Sequence, residues 1–212
     1  ALALLQPYYG DWLAAEQRLT ALHRRFPEQA DVTGELAKLM FGVGRATDAA
    51  TYSRRAVALE PLSPIFQFRL AYHLWTVSGV GAADGAIDRA LELWPEHPAV
   101  WYARFLIFAG SKRPEQASRM IDSAMAAEIL EPRTLTTWRR TCRALRTRKS
   151  TDSVAASAAA MDAARESGSG CVNAILALNL VDDLDRAFIV SDGYLLRRGP
   201  LAPEIGGSER AV

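Results

Sequence analysis

The residue types that perform chemistry are scattered along this chain. His23, His73 and His97 fall in three different segments, and His73 sits inside an apolar run, where a core or groove-edge histidine is the commoner case. Cys142 and Cys171 are the only cysteines. With no C-x-x-C pair and no histidine cluster beside them, they read as buried free thiols rather than a zinc site or a disulfide framework. Asp182, Asp183 and Asp185 crowd one turn, an arrangement that suits capping of the next helix better than holding a cation. The "SGSG" ending at Gly170 contains no G-x-S-x-G and lacks a strand-turn-helix context, so it reads as a flexible inter-helix loop. No nucleophile, base and oxyanion donor occur in recognisable order. The chain is therefore read as non-catalytic, with no metal and no cofactor.

One segment is strongly charged. Between Arg133 and Lys149 every charged side chain is basic. Arg139, Arg143 and Arg146 share a flank at helical spacing, with Arg140 and Lys149 beside them. Leu135, Trp138, Cys142 and Leu145 form the adjoining apolar stripe. Such a face suits phosphates, an acidic protein surface or an acidic loop of the same chain, although most charge runs on helices are merely solvated. Nucleic-acid contact is expected only here or through a further domain.

The elements that carry these residues follow a fixed period. Pro27, Pro61 and Pro95 recur at one constant interval, and Ala15, Ala49, Ala83 and Ala117 recur at the same interval. A fixed period of this length is the mark of a repeat array. A second alanine series, Ala56, Ala90 and Ala124, falls seven residues later, two turns along the same helix face. Small residues there let two helices approach to the 8–10 Å of packed pairs. Leu36, Met40 and Val43, then Leu70, Leu74 and Val77, supply the larger apolar positions. Each period reads as two antiparallel amphipathic helices, turned by Gly10, Gly44 or the "SGVG" at Ser78–Gly81 and stopped by proline. Pro7 is expected to kink the helix that opens the chain.

This pattern of small, large, glycine and proline positions resembles the tetratricopeptide repeat over residues 11–128. The resemblance implies an all-α solenoid of stacked helix pairs in a right-handed superhelix, with first helices lining a concave groove. Residues 1–128 then hold a truncated first unit and three full ones. Residues 129–200 continue as degenerate helical hairpins, among which Ala187 and Tyr194 are again seven apart, and 201–212 form a loop or tail. On the same resemblance the groove is lined by Lys38 and Phe41, by Phe68, Tyr72 and Trp75, and by Tyr102 and Leu106. The implied groove is aromatic with little charge. It suits a peptide or helix of a protein partner, although the same rings would also serve a seam between repeats or a self-association surface. Lys38, Tyr72 and Leu106 stand where carboxylate-gripping repeat domains carry asparagine, which argues against that mode.

The composition fits these expectations. The 212 residues carry a net charge of +1 with 50% hydrophobic and 23% charged residues, so no global field draws the chain to nucleic acid or lipid. No apolar run reaches membrane-spanning length and no leader pattern opens the chain, so a cytoplasmic location without membrane contact is expected. Arginine far outnumbers lysine, and alanine is abundant, which suits a bacterial source. The segment "LVDDLDRAFIVSDGYLLRRGP" resembles the closing units of repeat arrays attached to bacterial winged-helix transcription regulators and signalling proteins. It implies that the array belongs to a larger regulatory protein.

Overall fold

The computed structural model describes residues 12–166 and 168–197 and is all α-helix, with no strand among the described residues. The expectations for Pro7, Gly10, the Tyr194 side chain and the 201–212 tail lie outside what is described. The chain divides into two compact units, Ala1–Ile107 and Phe108–Val212.

The first unit stacks α1 (Trp12–Arg25), α2 (Ala30–Gly42), α3 (Ala46–Leu59), α4 (Pro64–Ser78), α5 (Val80–Leu93) and the start of α6 (Pro98–Gly110). Its core follows the alanine series: Ala49, Ala83 and Ala90 are fully buried, and Ala56 nearly so. Around them pack Leu19, Leu36 and Met40 at one end and Ile87, Val100 and Ile107 at the other. Each expected proline follows the end of a second helix, in a turn closed by Gln29 N to Phe26 O, Ser63 N to Glu60 O, or His97 N to Trp94 O.

These turns carry a device not apparent in the residue names. Gln67 Nε2 donates to Pro61 O at 2.9 Å, and one period later Trp101 Nε1 donates to Pro95 O at 2.6 Å. An amide and an indole thus satisfy the same repeated carbonyl. Thr33, at the equivalent position, is too short for this and bonds Gln29 O and His23 Nδ1 instead.

The second unit contains the rest of α6, then α7 (Pro114–Ile121), α8 (Ala124–Ile129), α9 (Pro132–Thr147), α10 (Ser150–Ala164), α11 (Gly168–Leu180) and α12 (Leu184–Arg197). Its first helix pair departs from the expected pattern. The second helix breaks after Ile121, and Ser123 caps a new short helix by accepting a bond from Ala126 N. Ala124 is consequently exposed, and Ala126 takes the buried position two residues later. From there the small-residue spacing resumes, since Ala160 lies one full period beyond Ala126 and is also fully buried. A second departure concerns "SGSG": Gly168–Gly170 already form the start of α11 rather than a loop.

The turns between paired helices have a common form. Gly44 takes φ +81°, and its turn is closed by Gly44 N to Phe41 O and Arg45 N to Met40 O. Lys112 and Asp182 adopt the same left-handed conformation, with the same pair of bonds reaching Ala109 and Phe108, and Asn179 and Leu178. Arg148 is left-handed as well, with a single bond to Ala144 O. Asp183 then caps α12, accepting bonds from Arg186 N and Arg186 Nη1, as the acidic turn led one to expect. Those bonds, with one from Ser157, outweigh its partial burial and hold its carboxyl below the ordinary value.

Candidate functional site

The first helices α2 and α4 bring Phe41, Tyr72 and Trp75 together. The ring of Tyr72 meets Phe41 edge-on at 5.3 Å and Trp75 edge-on at 5.8 Å, so the three form a continuous aromatic strip. All three are half-buried. Burial raises the Tyr72 phenol above its ordinary value of 10, which leaves it a neutral hydroxyl at physiological pH. Phe68 and Trp75 also rest against the apolar core of α4, α5 and α6, so these two rings fill part of the seam between repeats while presenting an edge outward. Tyr102 and Leu106 occupy the equivalent positions of α6 and are likewise half-buried.

Beneath the strip lies a buried histidine, the core or groove-edge setting that its place in an apolar run led one to expect. His73 is 4% exposed and stacks on Phe41 with centroids 4.5 Å apart. Its Nδ1 lies 2.7 Å from Ser53 Oγ, which ties α4 to α3. Burial, aided by the nearby Arg69 charge and opposed by a bond with the Ala49 backbone, pushes its pKa down to about 4. The imidazole is thus a neutral support for the Phe41 ring.

The strip is flanked by more charge than expected. Glu35 takes Lys38 at 3.2 Å and Arg69 at 3.6 Å, so two cations converge on one carboxylate with only 17% of its side chain exposed. Arg104 of α6 similarly binds Asp84 at 2.8 Å and Asp88 at 2.6 Å. Glu35 and Arg69 escape a pattern search because they lie one turn from the ring positions and pair across helices.

The basic helix of the second unit is α9. Arg139 reaches Asp122 at 3.2 Å and Ile121 O at 3.3 Å, Arg143 reaches Asp152 at 2.9 Å, and Arg133 reaches Glu166 at 2.5 Å. Arg140 donates to Ala155 O, and Arg146 makes a long contact of 3.5 Å with Ser118 Oγ. Lys149 is exposed. Much of the positive flank therefore already faces acidic groups of its own chain. Cys142 and Cys171 are both buried and form no disulfide, Cys171 Sγ donating to Ala164 O at 3.2 Å, and burial raises the Cys142 thiol to about 12, so it stays protonated. No helix among the described residues is long and apolar enough to cross a membrane.

No family model and no curated protein matches the sequence. Solved structures do match in fold. Yeast Tom70 superposes with a TM-score of 0.60 at 14% identity, over 89% of this chain and 40% of that one, so the chain spans less than half of that structure. YrrB, described as a tetratricopeptide repeat protein with an unusual peptide-binding site, gives 0.50 at 15% identity over 86% and 97% of the two chains. A tetratricopeptide repeat protein from Parabacteroides merdae gives 0.51 at 14% identity over 88% and 73%. At these identities the likeness is one of fold, and the fold is that of tetratricopeptide repeat proteins.

Proposed function

We propose that this chain is a non-catalytic interaction scaffold that captures a peptide or helix of a protein partner along α2, α4 and α6. The supporting observation is the continuous Phe41, Tyr72 and Trp75 strip, held from below by a neutral His73 and flanked by the Glu35 ion pairs. Tyrosine and tryptophan offer rigid apolar area with a polar edge, the chemistry typical of binding hot spots. Lys38, Phe68, Tyr102 and Leu106 extend the contact area. The peptide-binding neighbour YrrB lends the reading a precedent of fold. We place the scaffold within a larger bacterial regulatory protein, on the resemblance of the 180–200 segment to regulator arrays.

A peptide-display selection on the immobilised protein provides the ligand for the test. Changing Tyr72 and Trp75 to Ala is expected to cost about 2 kcal/mol or more of binding, roughly 30-fold, while helical content is retained. Unchanged capture by that variant rejects the groove. Nucleic-acid binding through Arg139, Arg140, Arg143, Arg146 and Lys149 has less support, because Asp122 and Asp152 already engage two of these arginines. It predicts low-salt binding whose salt dependence flattens when Arg139, Arg143 and Arg146 become Gln.

A further inference from the structure

The second unit carries a cleft of about 690 Å³ on its turn edge. It opens where the turns after α6, α9 and α11 come together. Its rim holds three cations, Lys112, Arg146 and Arg148, and its apolar lining includes Leu145, Leu180 and Val181. Glu115 and Asp182 also line it, so the local charge is only mildly positive.

The backbone marks these rim residues as unusual. Lys112 at φ +59°, Arg148 at φ +54° and Asp182 at φ +62° are the three non-glycine residues with positive φ among those described, and all three line this one cleft. Glycine is the residue that adopts this conformation without steric cost, and Gly44 fills the corresponding turn of the first unit. Side chains held at a conformational disadvantage point to a use for them. Neither Lys112 nor Arg148 forms an ion pair among the described residues, in contrast to Arg133, Arg139 and Arg143 on the same unit.

We propose that this cleft is a second binding site, for a short peptide segment that carries one acidic side chain beside an aliphatic one. The carboxylate would meet Lys112 and Arg148 at the rim, and the aliphatic group would cover Leu145 and Val181. A volume of this size lies within the range of about 300–1,000 Å³ typical of small-ligand sites. The two rim carboxylates disfavour a densely charged polyanion, which argues for a peptide over a nucleic acid.

The test uses the full chain and fluorescein-labelled pentapeptides with one Asp or Glu flanked by Leu, Ile or Val, read by fluorescence polarisation at low salt. The expected result is sub-millimolar binding by at least one peptide, weakened about tenfold or more in the Lys112→Gly, Arg148→Gly double variant. That variant relieves the backbone, so its melting temperature should not fall, which separates lost binding from lost folding. The variant with Tyr72 and Trp75 changed to Ala should bind these peptides as the parent does, so failure of this site and failure of the groove are distinguishable. The proposal is overturned if no peptide binds below about 1 mM, if the glycine variant binds equally well, or if peptides with Lys in place of the acid bind as tightly. Displacement of the peptide by an oligonucleotide at lower concentration than by unlabelled peptide would also overturn it.

Discussion

Phe41 and His73 lie stacked across the α2–α4 contact, 23° from coplanar, and the buried Ser53 Oγ of α3 lies 2.7 Å from the imidazole Nδ1. The ring is accommodated in its neutral form, so its protonation opposes folding. Its folded pKa of about 4 lies below the ordinary 6.5, so the unfolded chain takes up a proton that the folded chain refuses. Stability contributed by this site is therefore complete above about pH 6.5 and is lost as pH falls toward about 4. The steepest slope is about 1.4 kcal/mol per pH unit. Urea denaturation at pH 7 and pH 5 should show the parent losing on the order of 2 kcal/mol more than His73→Gln. Equal losses would mean that other groups account for the acid sensitivity.

Gly34 sits inside α2, where glycine ordinarily costs about 1 kcal/mol relative to alanine. A Cβ at this position would approach Phe66 Cε1 to 2.5 Å, and Phe66 is only 5% exposed. The glycine is thus a seat for the ring of the next repeat. Gly34→Val should lower stability by about 1–3 kcal/mol through overpacking. Adding Phe66→Leu should recover part of that loss, and a strictly additive double mutant would reject the contact.

Ala83 and Ala124 both fall at close helix contacts by the repeat spacing, but only Ala83 is buried. Ala83→Leu should cost about 1–3 kcal/mol. Ala124→Leu should change stability by no more than about 0.5 kcal/mol. Thermal melts of the two variants, compared side by side, read out the break after Ile121 directly.

Lys112 occupies a left-handed turn for which its side chain is poorly suited. Lys112→Gly should raise stability by about 0.5–1 kcal/mol. Gly44→Lys should lower it by a similar amount, because Gly44 holds the equivalent turn at φ +81°. A drop in melting temperature for Lys112→Gly would show that the lysine makes a stabilising contact that offsets its strain.

The helical pairing of the first unit is legible because the prolines and buried alanines occupy positions where few alternatives work. Proline cannot continue a helix, and nothing much larger than alanine fits where Ala83 and Ala90 meet their neighbours. The regularity goes further than those series. Pro64, Pro98 and Pro132 recur at the same interval, each at the first position of its helix, and they carry the register as far as α9. Gln67 and Trp101 are hidden for the opposite reason. The repeat fixes the proline carbonyl they serve but accepts any donor of sufficient reach, so residue identity carries little signal. The ring positions of the strip can be aligned by period, whereas His73 and Glu35 belong to it only through contacts across helices. The break after Ile121 depends on a single capping serine within an otherwise alanine-rich stretch, and composition alone does not distinguish it.

That break leaves the second unit with a weak link. Helix α8 is six residues long and buries one side chain, Ala126. So short a helix never recovers the cost of nucleation from its own hydrogen bonds, and its closed state depends on packing that here amounts to one methyl group. Its amides should exchange with solvent through local opening, at a far lower free-energy cost than those of α9, which wait for the unit to unfold. The segment acts as slack in the chain, a place where a two-residue change of phase is absorbed and where motion can occur without disturbing its neighbours.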